Sequence, residues 1–236
     1  MIKADGEISE LWLSPTGLAG AKIACVRPPI RLAPGQYVLA TTSSARSQGS
    51  EGEALPAALF GYSLTGGSLL AAPPLPISWK VGARLRLRGP CGKGFRIPPG
   101  ARKVALAALD GNPYRLEGLA HLALSRQAEV TLYCAFIPVD LPMAVEILPL
   151  GLLPDALRWA DFLAIETALP ALAGLSERLK LLVGQPSPCP TQVLVAADMP
   201  CGGVAECGVC AVRTRRGWRL ACLDGPVFDY NSLDVR

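Results

Sequence analysis

Four cysteines near the C-terminal end have the residue type and spacing to do chemistry. Cys201, Cys207, Cys210 and Cys222 lie within MPCGGVAECGVCAVRTRRGWRLACLDGPVF, in the pattern C-x5-C-x2-C-x11-C. Thiolates gathered this closely are metal ligands. Structural zinc sites use paired C-x2-C knuckles or cysteine–histidine combinations. Here there is one C-x2-C, and the single histidine of the chain, His121, lies far upstream. A [2Fe–2S] cluster of the plant type takes three cysteines from one loop and a distant fourth, near C-x4-C-x2-C…C. The chain fits that form with one extra residue in the first gap. Gly202, Gly203 and Gly208 suit it too, because backbone N–H groups must approach the sulfurs closely and glycine presents no Cβ. The spacing predicts a [2Fe–2S] cluster on Cys201, Cys207, Cys210 and Cys222, with zinc as the alternative.

The remaining cysteines read differently. Cys25 and Cys134 lie in apolar runs and are expected to be buried thiols. Cys91, in a Gly-rich stretch, and Cys189, between prolines, have no partner by sequence. His121 is expected on a helix surface or in the core. No nucleophile–base pair is evident, so the chain is expected to be a non-catalytic electron-transfer subunit, with organic chemistry left to a partner.

The elements that must position the cysteines follow from the pattern of the chain. Its 236 residues are half hydrophobic and 18% charged, with a net charge of +4. Mean hydropathy is +0.33. The longest uncharged stretch, Ala54–Trp79, contains Pro56, Pro73, Pro74 and Pro76, which exclude a continuous spanning helix. A protein without a membrane span, hiding apolar surface in a complex, is expected. The N-terminal MIKADGEISELWL has no apolar signal core, and eight cysteines without one suit a reducing, cytoplasmic setting. Basic residues are not interleaved with aromatics, so nucleic acid is not an expected partner. Arg213, Arg215, Arg216 and Arg219 make a small basic patch, either a solvated hairpin turn or a docking point for an acidic partner.

Residues 1–100 read as antiparallel β. The runs Glu7–Leu13, Ala21–Val26, Gln36–Ala40 and Arg84–Gly89 are separated by Pro/Gly turns, which predicts a small barrel. Thr41–Glu53 has no hydrophobic period and is expected to be an exposed loop. From residue 101 to 197 strands alternate with helical spacing: Lys103–Leu109, helix Leu116–Arg126, Glu129–Ala135, Met143–Leu148, Phe162–Glu166, helix across Leu169–Lys180, and Gln192–Ala196. That rhythm predicts a reduced parallel α/β layer. Residues 198–236 form the cysteine domain, expected to be an appended tail.

The tail, and above all Cys222-Leu-Asp-Gly-Pro-Val-Phe228, resembles the iron–sulfur domain of the electron-transfer subunit of dihydroorotate dehydrogenase B. Gly89-Pro-Cys-Gly-Lys-Gly-Phe95 is similar to that family's Gly-Pro-x-Gly-x-Gly-Phe turn. The resemblance implies a ferredoxin-reductase-like fold and makes Cys201, Cys207, Cys210 and Cys222 the cluster ligands. It also implies FAD in the cleft between barrel and α/β layer, and electron flow to the FMN of a separate catalytic subunit in a hetero-oligomer. The family's flavin motif Arg-x-(Tyr/Ile)-Ser corresponds to Phe60-Gly-Tyr-Ser63, so Tyr62 and Ser63 become the candidate FAD contacts, without the arginine that pairs with pyrophosphate. The family's Gly-Gly-Gly-x-Gly turn corresponds to Asp110-Gly-Asn-Pro-Tyr, where a carboxylate and a proline replace bare amides. NAD(P) is therefore not expected to bind. The competing reading is a non-redox scaffold, a degenerate paralogue whose cysteines hold a structural metal.

Overall fold

The computed structural model describes residues 1–42, 55–64, 66–110, 112–138, 141–204 and 207–235. Six strands close an antiparallel barrel: β1 (Ile2–Leu13), β2 (Ala19–Arg27), β3 (Tyr37–Thr42), β4 (Ala57–Leu64), β5 (Ser68–Ala71) and β6 (Arg84–Cys91), in the order β1-β2-β5-β4-β3-β6. Strand β6 shows why they form: Leu85, Leu87, Gly89 and Cys91 point inward, while Arg84 and Arg86 point to solvent. This period of two matches the pleat. Ile8, Ile23, Val38, Leu59, Leu69 and Leu85 fill the barrel.

The second layer is a six-stranded sheet. Its parallel strands are β7 (Lys103–Ala108), β8 (Glu129–Tyr133), β9 (Val145–Leu148), β10 (Phe162–Ala168) and β11 (Thr191–Ala196). Strands β7 and β10 are buried along nearly their whole length, as expected of parallel strands covered on both faces. Helix α1 (Glu117–Ser125) crosses from β7 to β8, α2 (Leu153–Trp159) from β9 to β10, and a 3-10 turn (Leu169–Gly174) running into α3 (Leu175–Arg178) from β10 to β11. At nine, seven and four residues these helices are short, which is the sense in which the layer is reduced. No helix among the described residues is long and apolar enough to cross a membrane.

The cysteine segment is not an appended tail. It holds a hairpin, β12 (Ala211–Thr214) with β13 (Gly217–Leu220), and then β14 (Val227–Asp229). Strand β14 pairs antiparallel with β11, in the register Gln192↔Asp229, Val193↔Phe228, Leu194↔Val227, and so forms the edge of the α/β sheet. Cys210, Val212, Ala221, Cys222 and Phe228 belong to the same apolar core as Phe162, Ile165 and Val193. The segment therefore depends on the sheet for its burial.

Close backbone contact joins it to the barrel as well. The Lys93 N–H donates to the Gly225 carbonyl, and Lys93 bridges Pro226. Gly92 has φ +73°, and a Cβ there would lie 2.5 Å from Pro226 Cδ and 2.9 Å from the Gly225 oxygen. A Cβ on Gly225 would lie 2.4 Å from the Phe228 ring. The two motifs quoted separately from the sequence, Gly89–Phe95 and Cys222–Phe228, thus meet face to face.

Gly92→Ala is expected to destabilise the protein well beyond Gly100→Ala. Gly100 has φ +85° with nothing within 4 Å of its Cβ position, so it reports backbone strain alone. The excess for Gly92→Ala should be about 1–3 kcal/mol in urea unfolding. Equal losses for the two variants would mean that the contact with Gly225 and Pro226 does not constrain the fold.

Candidate metal centre

The hairpin explains the long last gap in the cysteine pattern. Its register pairs Ala211 with Leu220, and one step beyond it the Ala221 N–H donates to the Cys210 carbonyl at 2.9 Å. Cys210 enters the hairpin and Cys222 leaves it, so cysteines with eleven residues between them end side by side. Their Sγ atoms are 3.3 Å apart. Cys201 and Cys207, from the loop that precedes the hairpin, have Sγ atoms 3.5 Å apart. A disulfide would require about 2.05 Å. Two thiolates on one tetrahedral metal, each about 2.3 Å from it, sit about 3.8 Å apart. Each pair has close to that separation.

The four sulfurs thus include two close pairs. Among the described residues, no three His, Cys, Asp or Glu side chains converge on a single ion. The pairs are nevertheless neighbours: Gly203, next to Cys201, would place a Cβ 3.8 Å from Cys222 Cβ. Gly202, Gly203 and Gly208 all have positive φ, at +56°, +76° and +78°. The loop wraps the sulfurs through conformations that other residues adopt at a cost.

Burial is graded across the four. Cys210 and Cys222 are buried, Cys201 is partly buried and Cys207 is exposed. Burial pushes the Cys222 thiol up to about 12, and the hydrogen bond from Cys210, with the Cys210 and Cys201 thiols nearby, adds to the shift. Several thiolates cannot share so small a volume without a cation to replace their protons. The donor set thus fits a metal centre that brings its own positive charge.

Barrel groups hold the loop. Arg88 donates to the Gly202 carbonyl at 3.0 Å, and the Tyr37 hydroxyl donates to the Cys222 carbonyl at 3.3 Å. Burial keeps the Tyr37 hydroxyl protonated far above the usual tyrosine range, so it remains a donor. Asp224 Oδ2 accepts the Leu220 N–H at 3.0 Å and closes the turn after β13.

The other sequence candidates lie elsewhere. Tyr62, on β4, packs on α1: its hydroxyl donates to Glu117 Oε1 at 3.1 Å and its ring lies 5.3 Å from that of His121. A Cβ on Gly118 would come within 2.7 Å of Tyr62 Cβ. Ser63 Oγ accepts the Leu32 N–H at 2.8 Å and donates to the Ile30 carbonyl at 3.1 Å. Both are committed to the chain's own packing. His121 is exposed on α1. Cys91, Cys134 and Cys189 are buried. The side chain of Cys25 and the loop at 43–54 lie outside the described residues.

Asp110 closes the turn after β7. Its Oδ2 accepts from Thr167 Oγ1 at 2.7 Å and from the Ala168 N–H at 2.6 Å, and Oδ1 pairs with Arg178 at 3.2 Å. The turn runs into a short 3-10 piece, Pro113–Arg115, and Asn112 Nδ2 donates to the Pro73 carbonyl of the barrel.

Two groups were not singled out from the sequence. Arg115 lies over the Phe60 ring, 5.4 Å from its centroid, and forms an ion pair with the fully buried Glu166. Glu166 is the one charge in the apolar run Phe162–Ala168, a signal that a buried partner must exist. Arg115 and Phe60 border a cleft of about 910 Å³ between barrel and α/β layer, which Met199 and Val209 of the cysteine loop also line.

Residues 197–234 match the family described as the iron–sulfur cluster binding domain of dihydroorotate dehydrogenase B. The chain carries an iron–sulfur domain of the dihydroorotate dehydrogenase B type. No curated protein matches the chain as a whole. Among solved structures, an NADH-dependent reduced ferredoxin-NADP oxidoreductase, studied for flavin-based electron bifurcation, is similar with a TM-score of 0.72 and 16% identity over 97% of this chain and 89% of that one. The ferredoxin reductase of carbazole 1,9a-dioxygenase has a TM-score of 0.57 at 17% identity, over 76% of this chain and 65% of that one. An Amycolatopsis cytochrome P450 reductase has 0.56 at 16% identity, over 76% and 66%. The fold is ferredoxin-reductase-like: barrel, parallel α/β layer and iron–sulfur domain in one chain.

Arg115→Met should destabilise the chain by about 3–5 kcal/mol at neutral pH, because an unpaired buried carboxylate remains. Burial already raises the Glu166 carboxyl above its ordinary 4.5, against the opposing pull of Arg115. The ionised form is therefore the costly one in the fold, and its cost grows as pH rises above that value. The loss in Arg115→Met should shrink as the pH falls and Glu166 takes up a proton. Denaturant unfolding at several pH values checks this; a loss independent of pH would place the damage elsewhere.

Proposed function

We propose that this chain is a one-electron carrier that holds a [2Fe–2S] cluster on Cys201, Cys207, Cys210 and Cys222 and exchanges electrons with a partner oxidoreductase. The observation that carries this reading is the division of the sulfurs into two pairs. A single zinc takes four thiolates around one point, whereas a binuclear iron centre takes two on each iron. On this reading Cys201 and Cys207 hold one iron, and Cys210 and Cys222 the other. The family match supports an iron–sulfur centre here, and a catalytic subunit such as that of a dihydroorotate dehydrogenase is the kind of partner it suggests.

The centre supplies one-electron transfer when bound. The chain supplies the rest. The Cys210–Cys222 side is sealed in the core shared with the α/β sheet, which keeps water from those thiolates. The Cys201–Cys207 side faces outward and gives electrons a short way in or out. Arg88 and the Tyr37 hydroxyl hold the loop carbonyls, and the guanidinium beside the loop favours added electron density.

Tyr62 and Ser63 do not fit FAD in this packing. The arginine of the family motif is Phe60 here, and the cation above it, Arg115, is already bound to Glu166. Among the described residues, the stretch 72–83 between β5 and β6 contains no helix whose N-terminus could receive a pyrophosphate. The Asp110 turn disfavours a nicotinamide dinucleotide in the same way. In this reading electrons reach the cysteine centre from the partner, without a dinucleotide bound to this chain.

Anaerobically purified protein should contain about two irons per chain, with broad absorbance between about 400 and 600 nm that dithionite bleaches. Cys210→Ser should abolish these bands and also lower the unfolding midpoint of the whole chain, because Cys210 lies in the shared core. A colourless protein with one zinc per chain would overturn the redox reading.

Flavin content gives a separate check. The purified chain should release no FAD on heating, and Phe60→Arg should not confer FAD binding in a fluorescence titration, because Tyr62 stays packed on Gly118. Stoichiometric FAD in the native chain would show that α1 can withdraw from β4.

A further inference from the structure

Against the hairpin that follows the cysteine loop lies a concavity of about 620 Å³ whose charged lining is Lys93, Arg215, Arg216, Arg219 and one carboxylate, Asp224. The arginines come from the exposed hairpin β12–β13 and its turn; Lys93 comes from the barrel turn that docks on Gly225. Asp224 accepts the Leu220 N–H, and its single negative charge stands against the four cations there. Arg213 is set apart from this group, because it pairs with Asp234 at 2.9 Å.

Among the described residues, the rim of the metal centre carries exposed apolar side chains. Around the exposed Cys207, Val204 is 73% exposed, Val209 51% and Leu223 53%; Trp218 at the hairpin tip is 67% exposed. Leu223 joins the two features, since it lies between Cys222 and Asp224 and comes within 3.4 Å of a Cβ placed on Gly203. A second groove, lined by Lys3, Arg27, Arg86 and Arg88 with Asp5, reaches Cys201 and Val204. Positive charge therefore borders the cysteine loop on the barrel side, and a second basic concavity lies on the hairpin that the loop leads into. An apolar contact ring around a redox centre, set among arginines and an exposed tryptophan, has the composition of a protein-binding surface.

We infer that this face docks an acidic redox protein, whose carboxylates meet Lys93, Arg215, Arg216 and Arg219 while its own centre closes on the Val204–Val209–Leu223 rim over Cys207. The inference rests on the electron-carrier reading and adds the chemistry of the partner. Complementary charge raises the rate of productive encounter and sets orientation, and the apolar ring excludes water from the short path between centres. In each encounter one electron passes between the two centres: one is oxidised, the other reduced, and no bond forms or breaks.

The test uses the full chain reduced with dithionite and freed of excess reductant. It is mixed in stopped flow with two high-potential one-electron acceptors of opposite charge, plastocyanin (an acidic blue-copper protein) and cytochrome c (a basic haem protein). At low ionic strength plastocyanin should be reduced faster, and salt should slow that reaction. The double variant Arg216→Glu/Arg219→Glu should reduce plastocyanin about tenfold or more slowly and cytochrome c faster, with its visible spectrum unchanged. Rates that ignore both salt and the double variant would overturn the docking proposal while leaving the carrier reading intact. A chain with no dithionite-bleachable chromophore would overturn both.

Discussion

The close approach of two backbone turns holds the molecule in its working arrangement. Gly92 and Gly225–Pro226 touch at distances that leave no room for a Cβ, and the Lys93 amide is bonded to the Gly225 carbonyl across the contact. This contact fastens the end of the cysteine hairpin to the barrel, just before β14 enters the α/β sheet. Everything the cysteines need follows from it. With the C-terminal side of the hairpin fixed, Cys222 stays opposite Cys210, and Tyr37 and Arg88 stay within reach of the loop carbonyls.

Three layers then share responsibility for one site. The barrel supplies donors to the loop, the sheet supplies the core in which Cys210 and Cys222 are buried, and the loop itself supplies the exposed edge at Cys207. A metal centre so placed would be sealed at Cys210 and Cys222 and open at Cys207, which suits a carrier that must exchange electrons while keeping two of its ligands from water. The barrel and α/β layer meet through direct side-chain packing, with Tyr62 on Gly118, Trp12 on Tyr114 at 4.5 Å, and Arg115 on Phe60. The fold is that of a ferredoxin-reductase-like protein, and the interface between its first two layers is closed where Tyr62 meets Gly118 and Trp12 meets Tyr114, and open as a cleft beside Arg115 and Phe60.

Much of this architecture was legible in the chain because its signals are local. The alternation of Arg84, Leu85, Arg86, Leu87 and Arg88 marks a strand with one wet face. The continuous apolar runs at 103–108 and 162–168 mark parallel strands covered on both faces. Other elements were not legible. Strands β4 and β5 sit in an uncharged stretch dense with Pro, Gly and Ala, where neither period shows. Helix α2 begins Leu153-Pro-Asp, and its proline, tolerated in the first turn, reads as a break. Strand β14 is three residues long and becomes a strand only because β11 offers an open edge.

The sequence by itself singled out four cysteines as the candidate metal ligands, through the C-x5-C-x2-C-x11-C spacing and its glycines, and determined the order barrel, α/β layer, cysteine segment. Those are properties of short stretches, written in residue type and period. Only the tertiary structure decided how the sulfurs divide into pairs, because that depends on the register of β12 with β13. It also decided that the cysteine segment is an integral part of the sheet and that Tyr62 and Ser63 are taken up by internal contacts. The basic concavity on the hairpin came from the fold as well, since it brings Lys93 to Arg219 across more than half the chain. Contacts between distant residues carry no mark in local sequence, so they become visible only when the chain is folded.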